Sequence, residues 1–223
     1  MARKRQPRGR QSGSLARRAA TKLITPRLII YTEGKNTEPD YISEFERYTR
    51  LAVSFIPDKH TTPLSLVKVA VSKAKELKKR SRNKRADVED KTCFNVWVLF
   101  DRDDHPHIPR ARDLAKAHGV NIGFSNPCFE LWLKLHFKDH DAEEARHILQ
   151  RWLKKSGHIP GYDHDKGAAG DMRGILANGQ YENAKRRAER INKNREQEAN
   201  AMGNPYSDAY KMFDIMWKNR RFL

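Results

Sequence analysis

Cysteine is nearly absent from this chain: 223 residues contain only Cys93 and Cys128, far apart and each isolated. That excludes a paired-cysteine zinc site of the CxxC type. Both read as small buried residues, Cys93 opening an apolar strand and Cys128 near the start of an apolar helix. Long apolar runs are also missing. None approaches the ~20 residues of a membrane span, and no apolar core follows the basic N-terminus as in a signal peptide. The expectation is a soluble, cytoplasmic protein. Acidic residues are absent from positions 1–22, which carry Arg3, Lys4, Arg5, Arg8, Arg10, Arg17, Arg18 and Lys22. With almost nothing apolar to bury, this segment is expected to be a disordered basic arm, serving either to bind phosphates or only to solubilise. There is no internal repeat.

What the chain has in excess is positive charge. Forty-five Lys and Arg oppose 28 Asp and Glu, a formal net charge of +17. Such a balance points to a polyanionic partner, with nucleic acid the first candidate. Ribosomal proteins, nucleases and membrane-surface proteins share this signature. The length suits one compact domain with extensions, large enough to bury a core.

Apolar periodicity sets the organisation. Leu28-Ile29-Ile30-Tyr31 reads as a buried strand, and Glu33-Gly34-Lys35-Asn36 as a strand-to-helix turn. Thr37-Glu38-Pro39 opens a helix with an apolar face of Tyr41, Ile42, Phe45 and Tyr48. Val53 to Ile56 is a second strand, and Thr62-Pro63 starts a helix striped by Leu64, Val67, Val71, Ala74 and Leu77. A basic connection follows, dense at Lys84 and Arg85. Phe94 to Phe100 is the third strand, Pro109 to His118 a helix, and Val120 to Phe124 the fourth strand. Ser125-Asn126-Pro127 is then expected to cap a buried helix running through Phe137. Beyond it, Asp141 to Lys155 reads as an amphipathic helix, Ser156 to Gly170 as loop, and Tyr181 to Ala201 as a basic helix. Asn204-Pro205 is read as the cap of a last helix, whose Tyr206, Tyr210, Phe213 and Trp217 pack on the core rather than forming a base-stacking platform. The alternation predicts an α/β fold: a mainly parallel four-stranded sheet flanked by helices over residues 23–138, with a helical C-terminal extension over 139–223 packing on it.

Two acidic features occupy matching places in this alternation. Glu33 follows the first strand; Asp101 and Asp103 follow the third. In open α/β sheets ligands bind beyond the carboxyl ends of the strands, and parallel strands lie ~5 Å apart, so these acids can converge on one hard cation such as Mg²⁺. An ordinary polar turn after a strand is the plainer account of Asp101 and Asp103. Asp104 points away from Asp103 in an extended chain and is a second-metal candidate only, as is Glu38, whose plainer role is to complement a helix dipole. Glu130 sits in the first turn of its helix with Lys134 four residues on, so a dipole effect and an ion pair explain it without catalysis. Lys35 and Arg102 flank the acids and suit either a scissile phosphate or local charge balance. His105 and His107, taken with His136 or His140, lack a zinc-like spacing and read as loop polarity or phosphate contacts. No Ser-His-Asp or Cys-His pattern competes.

A strand-terminal Glu-Gly followed by a strand-terminal Asp-x-Asp resembles the Toprim domain of topoisomerases, primases and certain nucleases. Glu33-Gly34-Lys35-Asn36-Thr37-Glu38-Pro39-Asp40-Tyr41, then Phe100-Asp101-Arg102-Asp103, then Ser125-Asn126-Pro127-Cys128-Phe129-Glu130-Leu131-Trp132 is similar to the Toprim-related RloB-like family, encoded in bacterial restriction and phage-defence neighbourhoods. The resemblance covers roughly residues 28–137. It implies a Toprim-like fold and a Mg²⁺- or Mn²⁺-dependent endonuclease, with Glu33 as general acid/base or metal ligand, Asp101 and Asp103 holding metal, and Glu130 joining the catalytic set. Arg3, Lys4, Arg5, Lys35, Lys84, Arg85 and Arg102 would contact nucleic acid. The implied substrate is RNA, transfer RNA included, ahead of DNA, and the implied setting is anti-phage defence. The alternative is an inactive scaffold of the same fold that holds nucleic acid or docks on an AAA- or ABC-type ATPase from the same locus.

Overall fold

The computed structural model describes residues 27–50, 53–57, 62–81, 94–102, 105, 107–177 and 180–220. The basic arm, Cys93, Lys84, Arg85, Asp103 and Asp104 lie outside the described residues.

Four parallel strands and one short antiparallel strand form a single sheet. In chain order the elements are β1 (Arg27–Thr32), α1 (Thr37–Thr49), β2 (Val53–Pro57), α2 (Pro63–Ser81), β3 (Phe94–Asp101), α3 (Ile108–His118) and β4 (Asn121–Asn126). They continue as α4 (Glu130–Phe137), α5 (Arg146–Ser156), α6 (Gln180–Gln197), β5 (Tyr206–Ser207) and α7 (Tyr210–Lys218). The strand order is β2-β1-β3-β4-β5. No helix among the described residues is long and apolar enough to cross a membrane.

Period-two alternation in β1 and β3 builds both layers. Leu28, Ile30, Trp97 and Leu99 turn to one face, where α1 and α4 to α7 cover them. Ile29, Tyr31, Val96, Val98 and Phe100 turn to the other, against α2 and α3. This is why these strands read as continuous apolar runs: each is buried on both sides. On the first face, Tyr41 and Phe45 of α1 pack on Trp132 of α4, Tyr181 of α6 and Phe213 of α7, with Tyr41 and Phe213 ring centroids 4.8 Å apart. Full burial of such side chains contributes on the order of 2–3 kcal/mol each, enough to hold the C-terminal helices on the sheet.

The structure departs from the sequence expectations at the far edge of the sheet. There are five strands rather than four, because Tyr206 and Ser207 pair antiparallel with Asn126 and Ser125. Asp208 then accepts the Phe124 N–H at 2.7 Å, so the last helix begins at Tyr210 instead of after Pro205. The same pairing, with Ser125 also opposite Asp101, keeps Ser125 and Asn126 in the sheet. The buried helix therefore starts at Glu130, after the Pro127-Cys128-Phe129 turn. The amphipathic helix likewise starts late, at Arg146. Within the expected loop, His164–Lys166 forms one 3-10 turn.

Candidate active site

Strand order reverses beside β1: the chain first moves to β2 on one side, then crosses back to place β3 on the other. The carboxyl ends of β1 and β3 thus flank a topological switch point, where open α/β sheets bind ligands. Glu33 and Asp101 stand at those two ends. Their backbones are joined through the Glu33 N–H donating to Leu99 O at 3.0 Å, and the Asp101 N–H lies 3.4 Å from Glu33 Oε2. His105 Nε2 lies 3.3 Å from Glu33 Oε1.

A cavity of about 250 Å³ opens here, and four carboxylates line it: Glu33, Glu38, Asp101 and Glu130. Glu38 comes from the first turn of α1 and is only 6 % exposed. Burial, reinforced by the nearby Glu130 and Glu33, pushes its carboxyl up to about 7 although the Glu38 and Gly34 N–H groups oppose the shift. The close approach explains the Glu-Gly pair. A Cβ at position 34 would collide with all three atoms of the Glu38 carboxylate, so only glycine lets that side chain lie against the turn. Asp101 is also pushed well up, by burial and then by Glu38 and Glu130, against a weaker pull from Arg146 and the Phe129 N–H.

Glu130, the first residue of α4, behaves differently. Burial alone would raise its carboxyl, but hydrogen bonds from His164, Cys128, Tyr162 and its own N–H outweigh burial and hold it below the usual range. Tyr162 donates at 2.8 Å, and His164 Nδ1 lies 3.5 Å away. His164 is raised in turn by that carboxylate, and burial pushes the Cys128 thiol up. The ion pair expected with Lys134 is not formed: Lys134 pairs with Glu144 at 2.7 Å, over the Trp152 ring. Glu38, likewise, does more than complement a helix dipole, since it is buried against the other acids.

Of the cations expected near the acids, Lys35 lines the cavity, while Arg102 is exposed at the end of β3. Arg3, Lys4, Arg5, Lys84 and Arg85, and the acids Asp103 and Asp104, lie outside the described residues. His107 is exposed at the start of α3; His136 is fully buried, bonded to Tyr41 Oη and Trp132 O, and serves the core. Sequence reading overlooked Arg146, Gln150, Tyr162 and His164, because nothing local marks a loop or helix start that returns to strand ends so far back in the chain.

Hard oxygen donors crowded at one site, two of them driven toward protonation by burial and by one another, fit a hard divalent cation chemically. Among the described residues, however, no three His, Cys, Asp or Glu side chains form a group ready to hold a metal.

A comparison with curated proteins finds no match. Among solved structures, a de novo designed Rossmann fold protein aligns over 60 % of this chain and 98 % of its own, at 12 % identity and a TM-score of 0.31. The model of the RloB-like protein family matches residues 28–216, spanning β1 to α7, and the chain belongs to that family.

Proposed function

We propose that this protein is a Mg²⁺- or Mn²⁺-dependent endonuclease of the Toprim type, cleaving phosphodiester bonds of nucleic acid, RNA ahead of DNA. It acts in the cytoplasm, in bacterial anti-phage defence, with an ATPase of the same locus as a candidate partner. The observation that carries this reading is the meeting of Glu33, Glu38, Asp101 and Glu130 around one cavity at the switch point.

In this proposal Glu33 and Asp101 would hold the ion, with Asp103, outside the described residues, as a further ligand. A bound divalent cation would neutralise developing phosphate charge and acidify an attacking water. The chain's own groups do the rest. The Asp101 N–H and His105 fix the Glu33 carboxylate, and the Phe129 N–H holds that of Asp101. Glu38, at about 7, is suited to take or give a proton near neutral pH. Lys35 and Arg146 at the rim offset the charge of an entering phosphate. The scaffold alternative draws on the lack of a ready three-ligand group among the described residues.

The test is cleavage of mixed RNA and DNA by the full chain with Mg²⁺, Mn²⁺ or EDTA, beside Asp101→Asn and Glu33→Gln. Metal-dependent cleavage by the native chain alone is expected. Equal cleavage by all three proteins would overturn the site, and binding without cleavage, with the ATPase present, would favour the scaffold.

A further inference from the structure

The acid cavity does not end at its own rim. Gln150 and His164 line it and also line a second, larger groove of about 440 Å³ with His147, Arg151, Lys154, Lys155 and one acid, Asp165. Most of these belong to α5, which contains no acid (Arg-His-Ile-Leu-Gln-Arg-Trp-Leu-Lys-Lys-Ser). Two rows run along that helix at i, i+4 spacing: Arg146, Gln150 and Lys154, then His147, Arg151 and Lys155. The first row begins at the acids, and the second faces outward beside it. Lys154 is engaged by Asp163 at 2.8 Å and Asp165 at 3.5 Å. Arg151 and Lys155 are exposed and make no ion pair with a described residue. Leu149 and Leu153 on the buried side anchor the helix, so the charged rows are held in place rather than hung on a loop.

We infer that the exposed face of α5 is a track for the sugar-phosphate backbone of a nucleic-acid strand whose neighbouring segment enters the acid cavity. This rests on the nuclease reading of that cavity for what happens at its far end, but not for binding along the helix. Charge complementarity and continuity with the acid cavity both favour such a strand. A cavity lined by four carboxylates, with Lys35 and Arg146 beside them, gives a polyanion little hold of its own, so a strand is brought to it best when adjoining phosphates are held elsewhere, and the contiguous groove sets Arg151, Lys154 and Lys155 against Asp165. The helix also has a suitable length. His147 to Lys155 rises about 12 Å at 1.5 Å per residue, long enough to follow more than one consecutive phosphate of a strand. Contacts of this kind hold register and carry no sequence code.

The experiment measures binding of a labelled 20-nucleotide RNA strand, and of the matching DNA strand, to the full chain in EDTA over a range of salt. Arg151→Ala/Lys155→Ala is compared with Arg110→Ala/Lys116→Ala, which removes the same charge from exposed positions on α3, across the sheet. The α5 pair should weaken binding about tenfold at low salt and flatten the salt dependence by about 0.7 for each phosphate no longer neutralised, while the α3 pair changes neither. Equal losses from both pairs would reduce the track to a general effect of net charge and overturn it. Competition by polyglutamate as effective as by unlabelled RNA would also overturn it, in favour of an acidic protein surface. Failure of the nuclease reading has a different signature: no cleavage under any metal, with the α5-specific binding loss intact. Cleavage and binding both indifferent to the α5 pair would remove the track and leave the cavity's chemistry standing.

Discussion

The two walls of the acid cavity solve the same problem in opposite ways. On the helical wall, Glu130 is buried yet kept ionised, because Tyr162, His164 and Cys128 all donate to it. On the strand wall, Glu38, reaching in from the first turn of α1, is buried and Asp101 half-buried beside like charges, with mainly backbone N–H groups in support, and both are pushed toward the protonated form. A carboxylate provided with donors keeps its charge without needing a cation. One without them takes up a proton more readily, so the strand wall is where the proposed cation would be held.

The sharpest way to break this contrast is at Asp101. On the proposed nuclease reading, Asp101→Asn should abolish metal-dependent cleavage, with a loss on the order of 10³-fold or more. It should also cancel any rise in melting temperature that Mg²⁺ confers on the native chain, a readout independent of activity. A melting shift that survives in the variant would place the cation elsewhere.

Next in size is the pH dependence from Glu38. Its folded value, about 7, lies above the usual 4.5, so the folded state binds the proton more tightly than the unfolded one. Stability from this group is complete below about 4.5 and is lost as pH rises through about 7, a swing of about 3 kcal/mol. Urea melts in EDTA between pH 4 and 8 should show that slope in the native chain, and Glu38→Gln should flatten it. An unchanged slope would mean that Glu38 is not the group responsible.

On the other wall, Tyr162→Phe removes one donor from the ionised, buried Glu130. The expected cost is about 2 kcal/mol in denaturant unfolding at neutral pH, shrinking as Glu130 is protonated in acid. A loss that is the same at every pH would point to packing rather than to the hydrogen bond.

His164→Asn should matter least. The Glu130 carboxylate raises His164, so its contribution is present below about 6.5 and disappears as pH climbs past the folded value. With its side chain 51 % exposed, solvent screening holds the effect to about 0.5 kcal/mol. A larger effect in melts at pH 5.5 would make His164 a structural clamp instead of a rim residue.

The two walls were not equally legible in the sequence. The strand wall announces itself where apolar runs Leu28–Tyr31 and Val96–Phe100 break into Glu33 and Asp101, because a buried parallel strand leaves a plain hydropathy signal and its end is an abrupt one. Glu38 was visible as an acid in a first helical turn, but its burial depends on Gly34 having no side chain and on Glu130 arriving from α4, which periodicity does not encode. The helical wall was mostly hidden. Tyr162 and His164 lie in a segment that reads only as loop, and their approach to Glu130 is decided by how α5 and the following turns pack. The late start of α4 and the short β5 were hidden for a related reason. Cap and proline signals at Ser125-Asn126-Pro127 and Asn204-Pro205 are local, whereas the pairing of Ser125 with both Asp101 and Ser207 is not.

That pairing has a bearing on the order in which the site can be completed during synthesis. The strand leading to Glu130 has β3 on one side as soon as it emerges, but its other neighbour, Ser207, arrives 82 residues later, together with Asp208, which fastens the Phe124 N–H. Until then the stretch that carries the chain from β4 into the Glu130 wall has one open flank. In chain order Glu33 and Asp101 are therefore both made well before the residues that secure their opposite wall, and a ribosome stalled short of β5 would carry the acids without the finished enclosure.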